Sequence, residues 1–193
     1  VGKKVIIHLC SKSGSDTRYF DLDPDFVVIK VTIQVGVENF SIPKHWNVVG
    51  IASNPECTEF STADYARVSD LEKGMFCVDH CLRIIEEGKS LGNLKWWFLE
   101  NPSRGTLWKH LGIKPTHKYH PWQYGSGYSK DTGLYGDFVM PDKLYTKWED
   151  APKNPDLYVR PKRRAPSLVL LHKSALQFLP EFKWAEQYID CDA

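Results

Sequence analysis

The chain has 193 residues, 42% of them hydrophobic, and its 25 Lys and Arg nearly cancel its 24 Asp and Glu to leave a formal charge of +1. That length and apolar content suit one sizeable core and argue against two ordinary domains, so residues 1–193 are expected to form a single domain. The near-neutral balance excludes a global electrostatic case for nucleic acid or any acidic partner, and only local clusters can make one.

The run KVIIHLC, residues 4–10, predicts a buried strand that enters a loop at Ser11, Lys12, Ser13, Gly14 and Ser15. A second strand is expected in FVVIKVTIQ from Phe26, and a third in NVVGIAS from Asn47 to Ser53, ending in the loop NPECTEFS. Leu71, Met75, Val78, Leu82 and Ile85 recur at three- and four-residue steps, which predicts a helix with Asp70 as its cap and Gly88 as its stop. WWFLE reads as a fourth strand ending in Asn101 and Pro102, and SRGTLWKHLG as a short helix stopped by Gly112. Beyond residue 115, aromatic and Gly-rich sequence predicts extended strands joined by tight turns. A Pro-containing loop then leads through RPKRR to a final helix in HKSALQFLPEFKWAEQYI, interrupted at Pro180. Strands alternating with helices predict an α/β fold, a mostly parallel sheet with helices on both faces, whose chemistry gathers beyond the carboxyl ends of the strands.

The apolar runs are strand-sized, and VGKKVIIHLC lacks the apolar core of a signal peptide, so a soluble cytoplasmic protein with no membrane partner is expected. Cys10, Cys57, Cys77, Cys81 and Cys191 are odd in number and scattered, which argues against a disulfide framework and fits a reducing compartment. Cys77 and Cys81 share a helix face with His80 nearby, but no second ligand pair stands at zinc-ribbon or finger spacing. Both are therefore read as small buried hydrophobes, and no metal is expected.

Three segments, LCSKSGS, NPECTEFS and WWFLENPSRG, stand in the order of the cofactor loop, the nucleophile loop and the Glu-Asn segment of DNA cytosine carbon-5 methyltransferases, and QYGSGYSKDTGLYG resembles a later stretch of the short phage-type relatives. The resemblance covers roughly residues 4–140. It implies a class I methyltransferase (Rossmann-like) fold and transfer of a methyl group from S-adenosyl-L-methionine to carbon 5 of cytosine in DNA. Carbon 5 is a poor nucleophile until a thiolate adds to carbon 6, and Cys57 stands where that thiolate would be. Glu100 matches the carboxyl group that engages ring nitrogen 3, with Asn101 and Pro102 holding the loop. The target base would have to leave the duplex stack to be reached. The resemblance places Cys10, Ser11, Ser13, Gly14, Ser15, Thr32 and Pro55 around the cofactor, and Ser61, Gln123 and Lys130 toward nucleic acid. The cations Arg160, Lys162, Arg163 and Arg164 would supply phosphate contacts. Trp122, Tyr124, Tyr128 and Tyr135 either stack bases or fill the core.

The sequence departs from the family pattern at specific places. Lys12 replaces a glycine of the cofactor loop, Gly36 stands where relatives carry an aspartate for the adenine amino group, with Glu38 or Asn39 as substitutes, and Glu56 replaces the proline before the nucleophile. The first two imply weak cofactor binding. The third disfavours the Cys57 thiolate unless Glu56 points away or turns to Lys12. Residues 141–165 occupy the place of a large target-recognition region, which leaves single-stranded DNA, duplex DNA and a free pyrimidine nucleotide all open as substrates. The rival class is a binding module that keeps the fold without the chemistry.

Overall fold

The computed structural model describes residues 3–11, 17, 20–32, 34–61, 68–125 and 129–151. The expected final helix and the RPKRR tract lie outside these residues. Within them, the strands are β1 (Lys4–Leu9), β2 (Phe26–Val31), β3 (Asn47–Ser53), β4 (Trp96–Pro102), β5 (His117–Tyr119) and β6 (Thr132–Asp137), and the α-helices are α1 (Leu71–Ser90) and α2 (Leu107–His110). The strands form one sheet in the order β2-β1-β3-β4-β6-β5. β1 runs parallel to β2 and β3, and β3 parallel to β4, while β6 is antiparallel to both β4 and β5. The α/β architecture and mostly parallel sheet expected from the strand–helix alternation are present.

β1 is buried along nearly its whole length, as a strand covered on both faces must be, and this explains its unbroken run of apolar residues. On one face, Val5, Ile7, Leu9, Val31, Val48 and Ile51 pack against Cys81, Ile84 and Ile85 of α1. Leu99 of β4 extends that face, meeting Phe60, Val78, Leu107 and Trp108. The opposite face is closed differently. There Phe20, in a 3-10 turn at Phe20–Leu22, packs with Ile6 and Phe26, and Tyr119 and Tyr124 pack with Ala52, Phe98 and Leu134. Helices were expected on both faces, but among the described residues α1 and α2 cover one, and aromatic side chains from short turns seal the other.

α1 begins where the sequence predicts, with Asp70 accepting from the Lys73 N–H at 3.0 Å. It does not stop at Gly88. The helix runs to Ser90, and Gly88 is buried within it because a β-carbon there would come within 2.5 Å of Ile51 Cδ1. Gly88 is thus a point of close approach to the sheet rather than a terminator. The buried stripe is also rotated from the expected one, being centred on Gly74, Val78, Cys81, Ile84, Ile85 and Gly88, with Leu71 exposed. Of the small residues, Gly88 faces Ile51 of the sheet, while Gly74 lies against Glu59 and Phe60. On its flank, Arg83 donates to the carbonyls of Val37 and Phe40, and Glu87 accepts from the Ile42 N–H, so the helix also holds the segment between β2 and β3. No helix among the described residues is long and apolar enough to cross a membrane.

The Tyr124 hydroxyl donates to the Pro141 carbonyl at 3.3 Å. Burial, helped by the charge of Asp142, pushes its pKa from an ordinary value of 10.0 up to about 12. A phenol whose folded pKa is raised contributes stability that is present below pH 10 and lost as the pH rises through about 12. Denaturant midpoints measured from pH 9 to 12 should therefore fall in wild type, and Tyr124→Phe should fall less steeply; parallel curves would show that Tyr124 plays no part.

Candidate functional site

The carboxyl ends of β1, β3 and β4 lie side by side because the strands are parallel and in register, with Leu9 opposite Ser53 and Ser53 opposite Leu99. The chain leaves β1 to form β2 on one side and returns to place β3 on the other, so the strand order reverses between β1 and β3. In open α/β sheets such a reversal opens a crevice beyond the strand ends, where ligands bind. Cys10 and Ser11 follow β1, Asn54 and Pro55 follow β3, and Glu100 and Asn101 lie near the end of β4.

Glu100 is only 6% exposed, and both of its carboxylate oxygens are held. Asn54 Nδ2 donates to Oε2 at 3.3 Å, and Lys130 Nζ donates to Oε1 at 3.1 Å. Asn101 is fully buried and donates from Nδ2 to the Pro55 carbonyl at 3.4 Å. Other parts of the Asn54–Ser61 loop are anchored too. The Asn54 N–H donates to the Leu9 carbonyl at 3.2 Å, and the Phe60 carbonyl accepts from the Thr106 N–H at 2.9 Å. Buried Glu59 accepts from the Asp70 N–H at 2.8 Å, fixing the loop to the start of α1, where a carboxylate is favoured by the helix dipole. Cys57 rides half-buried on this anchored loop, two residues beyond Pro55. The exposed Glu56 carboxylate accepts from the Thr58 hydroxyl at 3.1 Å, and its suggested pairing with Lys12 involves a residue outside those described.

Among the described residues, Asn54 Oδ1 and Asn101 Oδ1 are buried and accept from no donor. Buried acceptors normally find one, so two neighbouring strand ends carry unused acceptor capacity beside Glu100. Which amide atom is oxygen follows from the hydrogen bonds made by the nitrogens, here to Glu100 and to the Pro55 carbonyl.

The residues expected around a cofactor are only partly described. Ser11 is 4% exposed with its N–H donated to the Val31 carbonyl, and half-buried Thr32 gives its carbonyl to the N–H groups of Val35 and Gly36. Pro55 is buried, and Ser13, Gly14 and Ser15 lie outside the described residues. Of the residues expected to touch nucleic acid, Lys130 instead places its ammonium on Glu100, and Gln123 accepts from the His120 N–H at 2.9 Å to close the turn at Pro121–Tyr124. Ser61 is half-buried at the end of the nucleophile loop. Arg160, Lys162, Arg163, Arg164 and Tyr128 lie outside the described residues. Tyr124 is core, whereas half-buried Trp122 stacks on His120 and meets Trp148 edge-on.

One grouping escaped the sequence reading. Cys10 Sγ lies 3.3 Å from Cys77 Sγ and 3.6 Å from Cys81 Sγ, so the helical pair does have a third thiol, supplied by the end of β1. Hydrogen bonds from Cys10 and then Cys81, together with a backbone N–H from Glu56, hold the Cys77 thiol well below its usual range, while the same contacts push Cys10 up. The four-residue spacing of Cys77 and Cys81 was a visible signal. The partner at 67 residues' separation was not.

Comparison with protein-family models and with curated protein sequences finds no match.

Glu59→Ala removes a charge-assisted bond to the α1 terminus, and such bonds contribute about 1.5–3 kcal/mol. Urea unfolding should show a loss of that size; a change below about 0.5 kcal/mol would mean that the loop is held without Glu59.

Proposed function

We propose that the chain is a DNA cytosine carbon-5 methyltransferase on a class I methyltransferase fold, with Cys57 as nucleophile and Glu100 as the partner of ring nitrogen 3. The observation that carries this reading is the clasp between the two: Glu100 is gripped by Asn54, the first residue of the Cys57 loop, while Asn101 beside it holds the Pro55 carbonyl. Chemistry that needs a thiol and a carboxyl group on one ring requires these two segments to keep a fixed relation. The strand reversal beside them supplies the usual place for a bound cofactor.

In this reading the Cys57 thiolate adds to carbon 6, forming an S–C bond and moving electron density to carbon 5. Glu100, as the carboxylic acid, donates its O–H to nitrogen 3 and accepts from the adjacent amino group with its other oxygen; the donation draws charge from the ring and eases the addition. The unused Asn54 and Asn101 oxygens offer acceptors for donor groups of the base. Lys130 fixes the carboxylate orientation. S-adenosylmethionine, when bound, supplies the electrophilic methyl group. Once carbon 5 carries the methyl group, its proton passes to a water molecule as base, and the S–C bond to Cys57 breaks as carbon 5 and carbon 6 regain their double bond.

The described residues offer a cofactor one substitute acid. Gly36 has φ +74, and a β-carbon there would stand 2.3 Å from Glu38 Oε1, so the Glu38 carboxylate reaches over the glycine. Glu38 thereby takes the place of an acid at position 36, and with Ser11 and Thr32 it would hold the cofactor. Cys10 is less suited, because its thiol faces Cys77. DNA is the proposed partner, bound through phosphates by Arg160, Lys162, Arg163 and Arg164.

DNA containing 5-fluorocytosine cannot lose a proton from carbon 5, so wild-type protein given S-adenosylmethionine should form a covalent adduct stable to denaturing electrophoresis. Cys57→Ser should form none, and Glu100→Gln should form it about 10²- to 10⁴-fold more slowly. Wild-type protein that binds DNA but gives neither adduct nor methyl transfer on single- or double-stranded substrate would overturn the enzyme reading in favour of the binding module. Calorimetry supplies the cofactor test: Glu38→Ala should raise the S-adenosylmethionine Kd about 10- to 100-fold, and an unchanged Kd would remove Glu38 from the site.

A further inference from the structure

Free cysteines usually pack singly, as small hydrophobes. Here three of them turn toward one another at the strand-reversal crevice. Cys10 lies just past β1, and Cys77 and Cys81 sit one turn apart on α1, with all three sulfur atoms within 4.8 Å of one another. The arrangement is bought with backbone strain: Cys10 has φ +57, the only positive φ at a non-glycine among the described residues. Such a conformation costs on the order of 1–3 kcal/mol, and glycine would adopt it freely.

From this geometry we infer a binding site for a single thiophilic d10 metal ion, Zn(II) being the natural occupant, with Cys10, Cys77 and Cys81 as its ligands. Tetrahedral Zn–S bonds of about 2.3 Å require sulfur atoms about 3.8 Å apart. The observed separations of 3.3 and 3.6 Å lie within about half an ångström of that spacing. Three thiolates leave a fourth position for water or an incoming ligand, as in zinc sites that are not closed. Thiolate-only coordination also favours soft ions over Mg(II) or Ca(II).

The surroundings resemble those of a built site. The Cys77 sulfur lies beside the backbone of Glu56, in the loop that bears Cys57. Cys81 is fully buried, whereas Cys10 and Cys77 are half-buried, which leaves a side from which an ion can arrive. A bound ion would join the end of β1 to α1 and, through Glu56, to the loop that bears Cys57. This site stands independently of the methyltransferase reading, because its ligands and its tests involve neither DNA nor S-adenosylmethionine.

The experiment uses the full chain, purified with reductant and stripped of metal, then titrated with Zn(II) and with Cd(II) as a spectroscopic probe. One equivalent of Cd(II) should produce thiolate-to-metal charge-transfer absorption that saturates at one ion per chain, and Zn(II) should raise the midpoint of thermal unfolding. Alkylation followed by peptide mapping should find Cys10, Cys77 and Cys81 protected in the Zn(II)-loaded protein and Cys57 and Cys191 modified. Cys10→Gly removes a ligand while relieving the strained φ, so it should fold, as judged by circular dichroism, and weaken Zn(II) binding by more than about 100-fold, beyond the loss of an outer contact alone. Cys191→Ser should bind as wild type does. No charge-transfer band with Cd(II), protection that omits Cys10, or Cys10→Gly binding Zn(II) as tightly as wild type would each overturn the site. A Cys10–Cys77 disulfide in protein that has no metal affinity after re-reduction would do so as well, and would identify the cluster as a redox pair.

Discussion

Parallel pairing forces strands to finish at the same edge of a sheet, and the rest of this structure depends on that constraint. β1, β3 and β4 end together because each return to the starting edge is made by a crossover, and α1 spans the one from β3 to β4. The polar loops that follow the strands are thereby stacked against one another, while the apolar strand interiors make the core. The edge where the strands end is consequently a place where thiols, carboxylates and amides from distant parts of the chain meet.

The loops there are secured by polar contacts as well as by the buried Phe60 ring. Asn54 links the end of β1 to Glu100, Asn101 holds the Pro55 carbonyl, and Glu59 joins the loop to α1. Hydrogen bonds of this kind contribute little net energy each, but losing one partner strands a buried polar group, so the cluster resists local change. The same cluster is incompletely satisfied at Asn54 Oδ1 and Asn101 Oδ1 and strained at Cys10. Strain and incomplete hydrogen bonding of this kind cluster at functional sites more often than elsewhere in a fold.

Away from that edge, packing follows a different logic. One face of the sheet is covered by a helix that presents small residues, so that the Ile51 side chain of β3 fills the space beside Gly88. Among the described residues the other is covered by aromatic rings, with Phe20 stacked on Trp96 and Trp96 on Phe98. Trp96 lies over Gly50, where any side chain would meet the indole within 2.2 Å. Among the described residues, large flat side chains on strands and short turns do the covering there, since each aromatic ring buries a large area without needing a regular element beneath it.

Sequence by itself determined the strands and the main helix, because apolar runs and a helical repeat reflect local geometry: β3 spans Asn47–Ser53 as read, and Asp70 caps α1. It also pointed to Glu100, Asn101 and the Cys57 loop, since polar residues after a strand fall at the edge where parallel strands end. Tertiary structure decided what local pattern does not encode. Gly88 reads as a stop until β3 lies against it, the ion pair of Lys130 with Glu100 is not legible until the two stand opposite, and Cys77 and Cys81 read as core until Cys10 arrives from 67 residues away. In each case the meaning of the residue depends on a partner distant in the chain, and only the folded sheet brings that partner within reach.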